Sequence, residues 1–509
     1  MAFSIVRKAG GVLLSLAALS CPLLPAQAAA QGDAAAALPN LGDSSDMTPA
    51  AERRLGDRIA RELFRDPDYL DDPVVMEYVQ SVWQPLVAAA RLRGELTPQV
   101  ERAFAWQILL GRDRSVNAFA LPGGYLGLHL GLVAAVASRD ELASVLAHEL
   151  SHVTQRHIAR SIARQGEQAP WLIGAMILGA LAASKNPGAA NAMIVGGQAA
   201  AVQTQLNFSR EMEREADRVG YGVMTQAGFV PQAFVSMFEK LQQSGRLNDS
   251  GGFPYLRSHP LTTERIADMQ ARVPPAASPA LPALALDHAM VSARARVLAN
   301  AGVDALRAWE RERLDQRRSG DAALQAGTLY GATLAGLKLR DFVAAASALQ
   351  ALQAVVRADP AAARLARLLA AELALAQGDA AAAGRALAGG AAASRPEVLL
   401  RAQVGLQGGD AAGAAQMLQT WLADQPGDAQ AWQWLARADA AQGRTVEAIR
   451  AEAEVNVAQL DHAAALTRLK AAQELGRSRP GMADHIAQSI VDTRARQIEL
   501  ILREQALER

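Results

Sequence analysis

Residues 145–152 read Val-Leu-Ala-His-Glu-Leu-Ser-His, a His-Glu-x-x-His pattern inside an apolar run. If this stretch is helical, His148 and His152 project from one face, one turn apart. Two neutral imidazoles in that arrangement can share one Zn²⁺ and leave room for a third protein ligand and a water. Glu149 lies beside this face and can take a proton from that water. The stretch therefore predicts a zinc-dependent hydrolytic site, and the competing interpretation is a histidine-rich core helix without metal.

The residues before this stretch predict where its helix begins. Ser138 is followed three residues later by Glu141, which is the pattern of a capping box. Apolar residues then recur at helical spacing through Val153. A helix starting at Ser138 would carry the histidine pair among these apolar positions.

A third ligand is expected from the charged stretch at residues 207–217. Glu213 and Asp217 lie four residues apart, on one helix face. One carboxylate that binds the metal, and a second that holds a histidine ligand in one tautomer, is a common pairing at zinc sites. Taken alone, such a charged helix face is usually solvated surface. Only the preceding His-Glu-x-x-His pattern favours a metal site here.

The segment between the first helices and this motif predicts a small sheet. Two short extended runs flank Pro122-Gly123-Gly124, which indicates a hairpin or strand pair beside the metal helix. An edge strand there could bind a substrate peptide as one more strand, through Asn117, Ala118 and Phe119. An ordinary structural hairpin fits the residues equally well. Upstream, helices are expected from Thr48 to Phe64 and after Asp72, and a strand over residues 103–110.

Residues 1–28 have the features of an export signal. A basic start is followed by a short apolar run and an Ala-x-Ala cleavage site. Cys21, the single cysteine, lies in this segment, so the mature chain would form no disulfide. A lipoprotein acylated at Cys21 is the weaker alternative, because Ala18-Leu19-Ser20 lacks the usual leucine three residues before the cysteine. A further apolar stretch within residues 171–201 is too short to cross a bilayer and predicts a lid with peripheral membrane contact or a buried hairpin.

Composition limits the partners. The 509 residues carry 51 basic and 51 acidic side chains, and a formal net charge of zero does not indicate binding to nucleic acid.

Beyond residue 288 the pattern is helical and repeats. Gly378-Asp379 recurs as Gly409-Asp410, and Gly443 follows Gly409 by 34 residues, the period of a tetratricopeptide repeat. Stacked helix pairs of this kind bury a continuous core and form a binding surface.

Four segments together resemble the zinc metallopeptidases that include HtpX and the CAAX prenyl proteases. They read Asn-Ala-Phe-Ala-Leu-Pro-Gly-Gly (117–124), His-Glu-Leu-Ser-His (148–152), Ser-Arg-Glu-Met-Glu-Arg-Glu-Ala-Asp (209–217) and Ser-His-Pro-Leu-Thr-Thr-Glu-Arg-Ile (258–266), in that family's order. The resemblance implies one zinc ion per chain.

Roles for single residues follow from this resemblance. It implies that His148, His152 and Glu213 bind the zinc, that Glu149 activates the water, and that Asp217 supports the site. His259 matches a histidine that can close over the zinc as a regulatory fourth ligand. Arg265 matches an arginine of uncertain role.

The resemblance also carries the expected function. It implies a periplasmic endopeptidase whose substrates are unfolded or misassembled outer-membrane β-barrel proteins and whose partner is their assembly machinery, contacted through the repeats. The alternative is a non-proteolytic chaperone or assembly factor with a capped zinc site. The expected organisation is a signal peptide (1–28), a flexible leader (29–47), an α+β zincin-like metallopeptidase domain that is mostly helical with a small sheet (48–272), a Pro/Ala-rich linker (273–287) and an all-α tetratricopeptide-repeat domain (288–509).

Overall fold

A computed structural model describes residues 47–164, 209–247, 254–273, 284–316, 321–389, 394–478 and 485–507. The predicted signal peptide with Cys21, the leader before Met47, the apolar stretch at 171–201 and most of the predicted linker lie outside these residues. The predicted domain boundaries therefore stay predictions.

The elements around the metal motif are short helices and a small sheet, as predicted. The helices are α1 Pro49–Phe64, α2 Pro73–Leu92, α3 Pro98–Ala103, α4 Leu130–Ala135, α5 Arg139–Thr154, α6 His157–Arg164, α7 Arg210–Gln226, α8 Gln232–Leu247, α9 Tyr255–Ser258 and α10 Thr263–Arg272. The strands are β1 Tyr69–Leu70, β2 Gln107–Gly111, β3 Ala118–Leu121 and β4 Tyr125–His129.

Three helices begin where the sequence predicts, each with a side-chain cap. Thr48, Asp72 and Ser138 precede α1, α2 and α5, and each side chain accepts a hydrogen bond from the backbone N–H three residues later, at 2.9–3.2 Å. Each bond satisfies a donor that the first helical turn leaves unpaired. The predicted starts of these helices are confirmed.

The predicted hairpin is also confirmed. Among the described residues the sheet has the strand order β1-β2-β4-β3, and β3 pairs antiparallel with β4 as an edge strand. The turn between them uses left-handed backbone at Gly123 (φ 72°) and Gly124 (φ 83°). A Cβ at Gly124 would lie 2.7 Å from Cβ of Phe104, so the turn needs glycine for both backbone angle and space.

The strand predicted over 103–110 is wrong at its start. Thr97 caps α3, with Pro98 in its first turn, so residues up to Ala103 are helical. Trp106 then takes a left-handed backbone angle (φ 52°), and its indole N–H donates to the carbonyl of Glu101. The strand can begin only after this bend, at Gln107.

The C-terminal part of the described chain is a series of helices in consecutive pairs. They are α11 Leu286–Ala299, α12 Val303–Gln316, α13 Ala322–Leu339, α14 Phe342–Val356, α15 Pro360–Ala376, α16 Ala380–Ala386, α17 Arg395–Gln407, α18 Ala411–Asp424, α19 Ala429–Ala441, α20 Thr445–Ala458, α21 His462–Ser478 and α22 His485–Leu507.

The repeated Gly-Asp dipeptides lie between the two helices of a pair. Gly378, Gly409 and Gly443 have φ between 74° and 85°, the left-handed geometry that ends a helix. Asp379 and Asp410 then cap the next helix through their side chains. This architecture is consistent with the predicted repeat domain.

The segment around the metal motif and the C-terminal helix pairs share one hydrophobic core. A single cluster of buried side chains runs from α2 through α5 to the helices α11–α17. Ion pairs also join these two segments, and the boundary between them is called the seam below. Arg294 forks onto Asp72 at 2.8 Å, and Arg395 forks onto Asp71 at 2.6 and 2.7 Å. Among the described helices, none is long and apolar enough to span a bilayer.

Candidate metal centre

Helix α5 carries the histidine pair in the interior of the fold. His148, Glu149 and His152 are each at most 1% exposed. Ser138 caps the helix as predicted, but the carboxylate of Glu141 accepts from the N–H of Ala137 instead of that of Ser138. Lys240 of α8 neutralises this buried carboxylate. The start of the metal helix is therefore tied to a neighbouring helix as well as to its own cap.

Helix α7 brings the carboxylates against α5. Ser209 caps it, and Glu213 and Asp217 follow on the face that packs on α5. Close approach depends on Gly220, where a Cβ would lie 3.0 Å from the carbonyl oxygen of Ala147 and 3.1 Å from the backbone N of His148. The predicted partner helix therefore lies directly against the metal motif.

The ligand atoms of His148, His152, Glu213 and His259 converge, all lying within 4.8 Å of one another. Nε2 of His148 and Nε2 of His152 are 3.0 Å apart, and each lies 3.5 Å from a carboxylate oxygen of Glu213. Nδ1 of His259 is 3.0 Å from Glu213 and 3.3 Å from Nε2 of His148. Tetrahedral ligands at zinc distances of about 2.0–2.1 Å would be about 3.3–3.4 Å apart. The four residues fit a zinc site in donor chemistry and in spacing.

His259 enters this group at the end of the short helix α9. Its backbone N–H donates to the carbonyl of Tyr255, and the two rings stack with centroids 4.6 Å apart. The backbone N–H of Tyr255 in turn points to the carbonyl of Val116, at 3.4 Å, just before strand β3. The segment that carries His259 thus contacts both the metal group and the start of the edge strand.

Glu149 lies between the metal group and the edge strand. Its Oε2 accepts a hydrogen bond from the N–H of Ala120 at 2.9 Å, and its Oε1 is 3.4 Å from Nε2 of His259. Burial raises the pKa of Glu149 above its usual value. A carboxylate in this position is a stronger base than an exposed one, as a proton acceptor needs to be.

The predicted edge residues occupy strand β3 or its entry, but the group that reaches Glu149 is the N–H of Ala120. Asn117 and Ala118 are buried, whereas Phe119 lies on the opposite face of the sheet, against His129. Sequence reasoning missed Ala120, although the alternation of N–H directions along an edge strand offered a signal.

Asp217 and Arg265 form a charged shell around the ligands. Oδ1 of Asp217 is 2.9 Å from Nδ1 of His148, the nitrogen remote from the metal group. Arg265 forks onto Asp217 at 2.6 and 2.8 Å and also reaches Glu213 at 2.8 Å. Arg265, whose role the sequence left uncertain, therefore contacts two carboxylates at once, and Asp217 contacts His148.

The two histidines of α5 differ in protonation before a metal binds. Burial lowers the pKa of His148, but hydrogen bonds to Asp217 and Glu213 outweigh it and raise the pKa to about 9. For His152 burial dominates and holds its pKa well below the usual range. Zinc would therefore displace a proton from His148 but meet His152 as a neutral imidazole.

Sequence reasoning missed His157. This ring is buried at the start of α6, and its Nδ1 lies 2.8 Å from Nδ1 of His152. Burial lowers the pKa of His157 to about 4, so the ring is neutral at neutral pH. The spacing of five residues from His152 matches no simple helical periodicity, because the helix is interrupted between them.

The sequence is similar to those of known proteins. Residues 75–273 match the model of peptidase family M48. The beta-barrel assembly-enhancing protease of Escherichia coli (strain K12) is 32% identical over 333 residues, which are 64% of this chain and 65% of that protein. A Vibrio cholerae protein that carries the same name provisionally is 37% identical over 330 residues, 64% of each chain. The mitochondrial metalloendopeptidase OMA1 of Saccharomyces cerevisiae is 28% identical over 203 residues, 39% of this chain and 56% of that protein.

The match to the bacterial relatives spans slightly less than two thirds of their length. The family match at residues 75–273 includes the region that holds the buried metal-binding group. The fold and the set of candidate ligands agree with this match, and residues 75–273 of this chain are similar to the peptidases of family M48.

Proposed function

We propose that this chain is an exported zinc metalloendopeptidase that hydrolyses unfolded or misassembled β-barrel proteins and assists their assembly. The observation that carries the proposal is the buried group of His148, His152 and Glu213 with the raised-pKa carboxylate of Glu149 beside it. This combination of ligands and base is that of a metal-dependent hydrolase.

In this proposal each residue has one task. His148, His152 and Glu213 would hold the zinc, which when bound supplies a Lewis acid that polarises a peptide carbonyl and acidifies water. Glu149 would take the proton of the attacking water and pass it to the amine of the leaving peptide. Asp217 and Arg265 would keep the ligands in place without touching substrate.

The edge strand supports a binding mode for an extended substrate. A peptide that paired with β3 as an added strand would lie beside Glu149, because Glu149 accepts from the outward N–H of Ala120. Backbone pairing of this kind depends little on side chains. It suits an enzyme whose substrates are exposed, unpaired strands of many sequences.

His259 would hold the enzyme idle. A catalytic zinc needs one open coordination position, and a fourth protein ligand would fill it. The contacts of His259 with Glu213 and Tyr255 support such a latch. Access for water and substrate would then require α9 to move, which would also release the carbonyl of Val116 at the edge strand. Gly251-Gly252 precedes α9 in the sequence and is expected to give this loop conformational freedom, but the pair lies outside the described residues.

The choice of substrates, partner and compartment rests on the relatives and on the predicted export signal. The bacterial relatives are named for enhancing β-barrel assembly. By similarity, the chain would act in the periplasm, and its helix pairs would contact the assembly machinery. A β-barrel precursor offers the unpaired strands that the edge of β3 can bind.

The alternative function is a non-proteolytic assembly factor. Structural zinc sites are closed by four protein ligands, and His259 would complete such a set. In that case the helix pairs would carry the function, and Glu149 would be dispensable.

Casein hydrolysis with parallel zinc analysis separates the two functions. We compare the parent with Glu149→Gln, His259→Ala and the control His462→Ala, a half-buried histidine on α21. The latched protease predicts a slow parent, a faster His259→Ala, and a loss of about 10²- to 10⁴-fold in Glu149→Gln with zinc retained. If all four proteins bind zinc and none of them hydrolyses casein, the result would instead support the assembly factor. An active Glu149→Gln variant would contradict the proposed mechanism.

A further inference from the structure

His157 is placed by an irregular turn directly after the metal helix. Arg156 takes a left-handed backbone angle (φ 52°), which ends α5 and starts α6. Its guanidinium donates to Glu52 of α1 at 2.9 Å and also to the carbonyl of Met47. A left-handed arginine is uncommon, and it persists only where surrounding contacts compensate for its cost. These contacts hold the turn that brings His157 back under the metal helix.

The ring of His157 bridges a metal-binding histidine and a charged pair near the surface. Its Nδ1 lies 2.8 Å from Nδ1 of His152, with the two rings edge to face. Its Nε2 lies 3.1 Å from Oε2 of Glu215, and Arg160 donates to the same oxygen at 2.8 Å. Arg160, Glu215, His157 and His152 therefore form one continuous chain of hydrogen bonds.

The carboxylate of Glu215 determines which atoms donate and which accept in this chain of hydrogen bonds. An ionised carboxylate can only accept, so Nε2 of His157 must carry a hydrogen and donate it to Glu215. A neutral imidazole has one N–H, which makes Nδ1 of His157 an acceptor. The 2.8 Å contact between the two Nδ1 atoms then requires that His152 donates its own Nδ1 hydrogen. Nε2 of His152, which faces Glu213 and His148, carries the lone pair that a metal needs.

We propose that His157 is a positioning residue that holds His152 in its zinc-binding tautomer, through hydrogen bonds whose direction is set by Glu215. This inference rests on the proposed zinc function. His157 would act through the ring of His152, whose Nδ1 lies 2.8 Å from its own Nδ1.

The two histidine ligands would then be supported in different ways. The Nδ1 of His148 faces the carboxylate of Asp217, which makes the imidazole more basic. The Nδ1 of His152 faces a neutral ring, which orients the imidazole without adding charge. Since the pocket already holds Glu213, Glu149 and Asp217, a neutral partner limits the negative charge buried there.

Zinc affinity and the cobalt spectrum test this role without any activity measurement. Zn²⁺ alone is titrated by chelator competition into the full chain, and the absorption spectrum is recorded with Co²⁺. The variants are His157→Leu, which removes the acceptor, and His157→Asn, whose amide oxygen restores it near the same place. The control is His288→Leu on α11, a second buried histidine with two hydrogen bonds. Thermal unfolding of each metal-free variant reports on the fold.

The expected results separate positioning from packing. His157→Leu should weaken zinc binding by about 10- to 100-fold and shift the cobalt bands. His157→Asn should bind within about threefold of the parent, since an acceptor is again present. His288→Leu should lower the unfolding temperature but keep the parent's zinc affinity. Unchanged zinc affinity in His157→Leu, or an equal loss in His157→Asn, would overturn the inference.

A substitution of Glu215 tests the direction of these hydrogen bonds without changing a residue of the buried core. Glu215→Ala removes a half-buried side chain and should also weaken zinc binding, by less than His157→Leu. Arg218→Ala, an exposed change on the same helix, is its control and should have no effect. Equal zinc affinities in these two variants would contradict the role of Glu215. A parent that binds no zinc would overturn the zinc function itself, which these variant comparisons do not decide.

Discussion

At the scale of single residues, the candidate zinc site combines groups that are close in the sequence with groups that are distant. His148, Glu149 and His152 lie within five positions, so their geometry follows from one helical turn. Glu213 lies on a second helix, α7, that packs against α5. By contrast, the N–H of Ala120, the ring of His157 and the fork of Arg265 reach the site through tertiary packing. Of these contacts, only the one through Ala120 has a local signal, which is the alternation of N–H directions along an edge strand.

Protonation of His148 makes zinc binding depend on pH. Burial lowers the pKa of His148, but hydrogen bonds to Asp217 and Glu213 raise it to about 9, so zinc must displace this proton at lower pH. Zinc affinity should therefore rise by about tenfold per unit between about pH 6 and 8, with one proton released. Calorimetry in buffers of different ionisation enthalpy measures the release. Asp217→Asn should lower this pKa and flatten the dependence, and a steep dependence that persists in that variant would contradict the assignment.

Arg265 should matter for metal binding although it is not a ligand. Arg265→Met removes the charge that pairs with Asp217 and Glu213, both of which are buried. We expect zinc affinity to fall by about 10- to 100-fold, as for other groups that orient ligands. Arg272→Gln, an exposed arginine on the same helix, is the matched control. Equal zinc affinities in the two variants would show that Arg265 does not orient the ligands.

At the scale of elements, helix starts and the hairpin follow from local chemistry. Ser, Thr and Asp caps begin α1, α2 and α5 where predicted, because a side-chain oxygen satisfies an N–H of the first turn. The strand at 103–110 was mispredicted because apolar composition outweighed the Thr97-Pro98 helix start. A left-handed tryptophan at position 106 then shortened the strand further.

The hairpin turn offers a test that separates backbone strain from steric contact. Gly124→Ala places a Cβ at φ 83° and 2.7 Å from Phe104, whereas Gly94→Ala has a φ of 72° with no heavy atom within 4 Å. Gly94→Ala should cost about 1–2 kcal/mol of stability from the backbone angle alone. Gly124→Ala should cost a further 1–3 kcal/mol or so from overpacking. Chemical denaturation measures both, and equal losses would mean that the turn relaxes without strain.

At the scale of the whole molecule, charged pairs join the peptidase helices to the helix pairs. Arg294 with Asp72, and Arg395 with Asp71, link residues more than 200 positions apart in the chain. The sequence predicts that both segments exist, yet it contains no signal for which arginine meets which carboxylate. The ion pairs across this seam therefore cannot be predicted from the sequence.

Arg294 should be important for stability, and its neighbour Arg296 provides the control. Arg294→Met leaves Asp72 buried with its main cation removed, which should cost about 3–5 kcal/mol. Arg296→Met, on the same helix as Arg294, removes a partly exposed pair with Glu312 of α12 and a cation–π contact with Trp309, and should cost only about 1–2 kcal/mol. Denaturant unfolding compares them, and equal losses would mean that the seam pair is not a stabilising contact.

The same pair predicts sensitivity to acid. Burial raises the pKa of Asp72, but the charge and hydrogen bonds of Arg294 outweigh it, so the folded-state pKa lies below the ordinary value. A depressed pKa contributes stability above the unfolded-state value of about 3.9, and this stability is lost as pH falls through the folded-state value. The parent should lose unfolding temperature below about pH 4 more steeply than Arg294→Met. Parallel curves would contradict this assignment.

Zinc K-edge X-ray absorption of the parent and of His259→Ala tests the central claim most directly. We predict one zinc per chain, bound in the parent by three imidazoles and one carboxylate. In His259→Ala one imidazole should be replaced by an oxygen ligand, which is the open position that a protease needs. The same imidazole count in both proteins, or a parent without zinc, would contradict the account of a latched zinc peptidase.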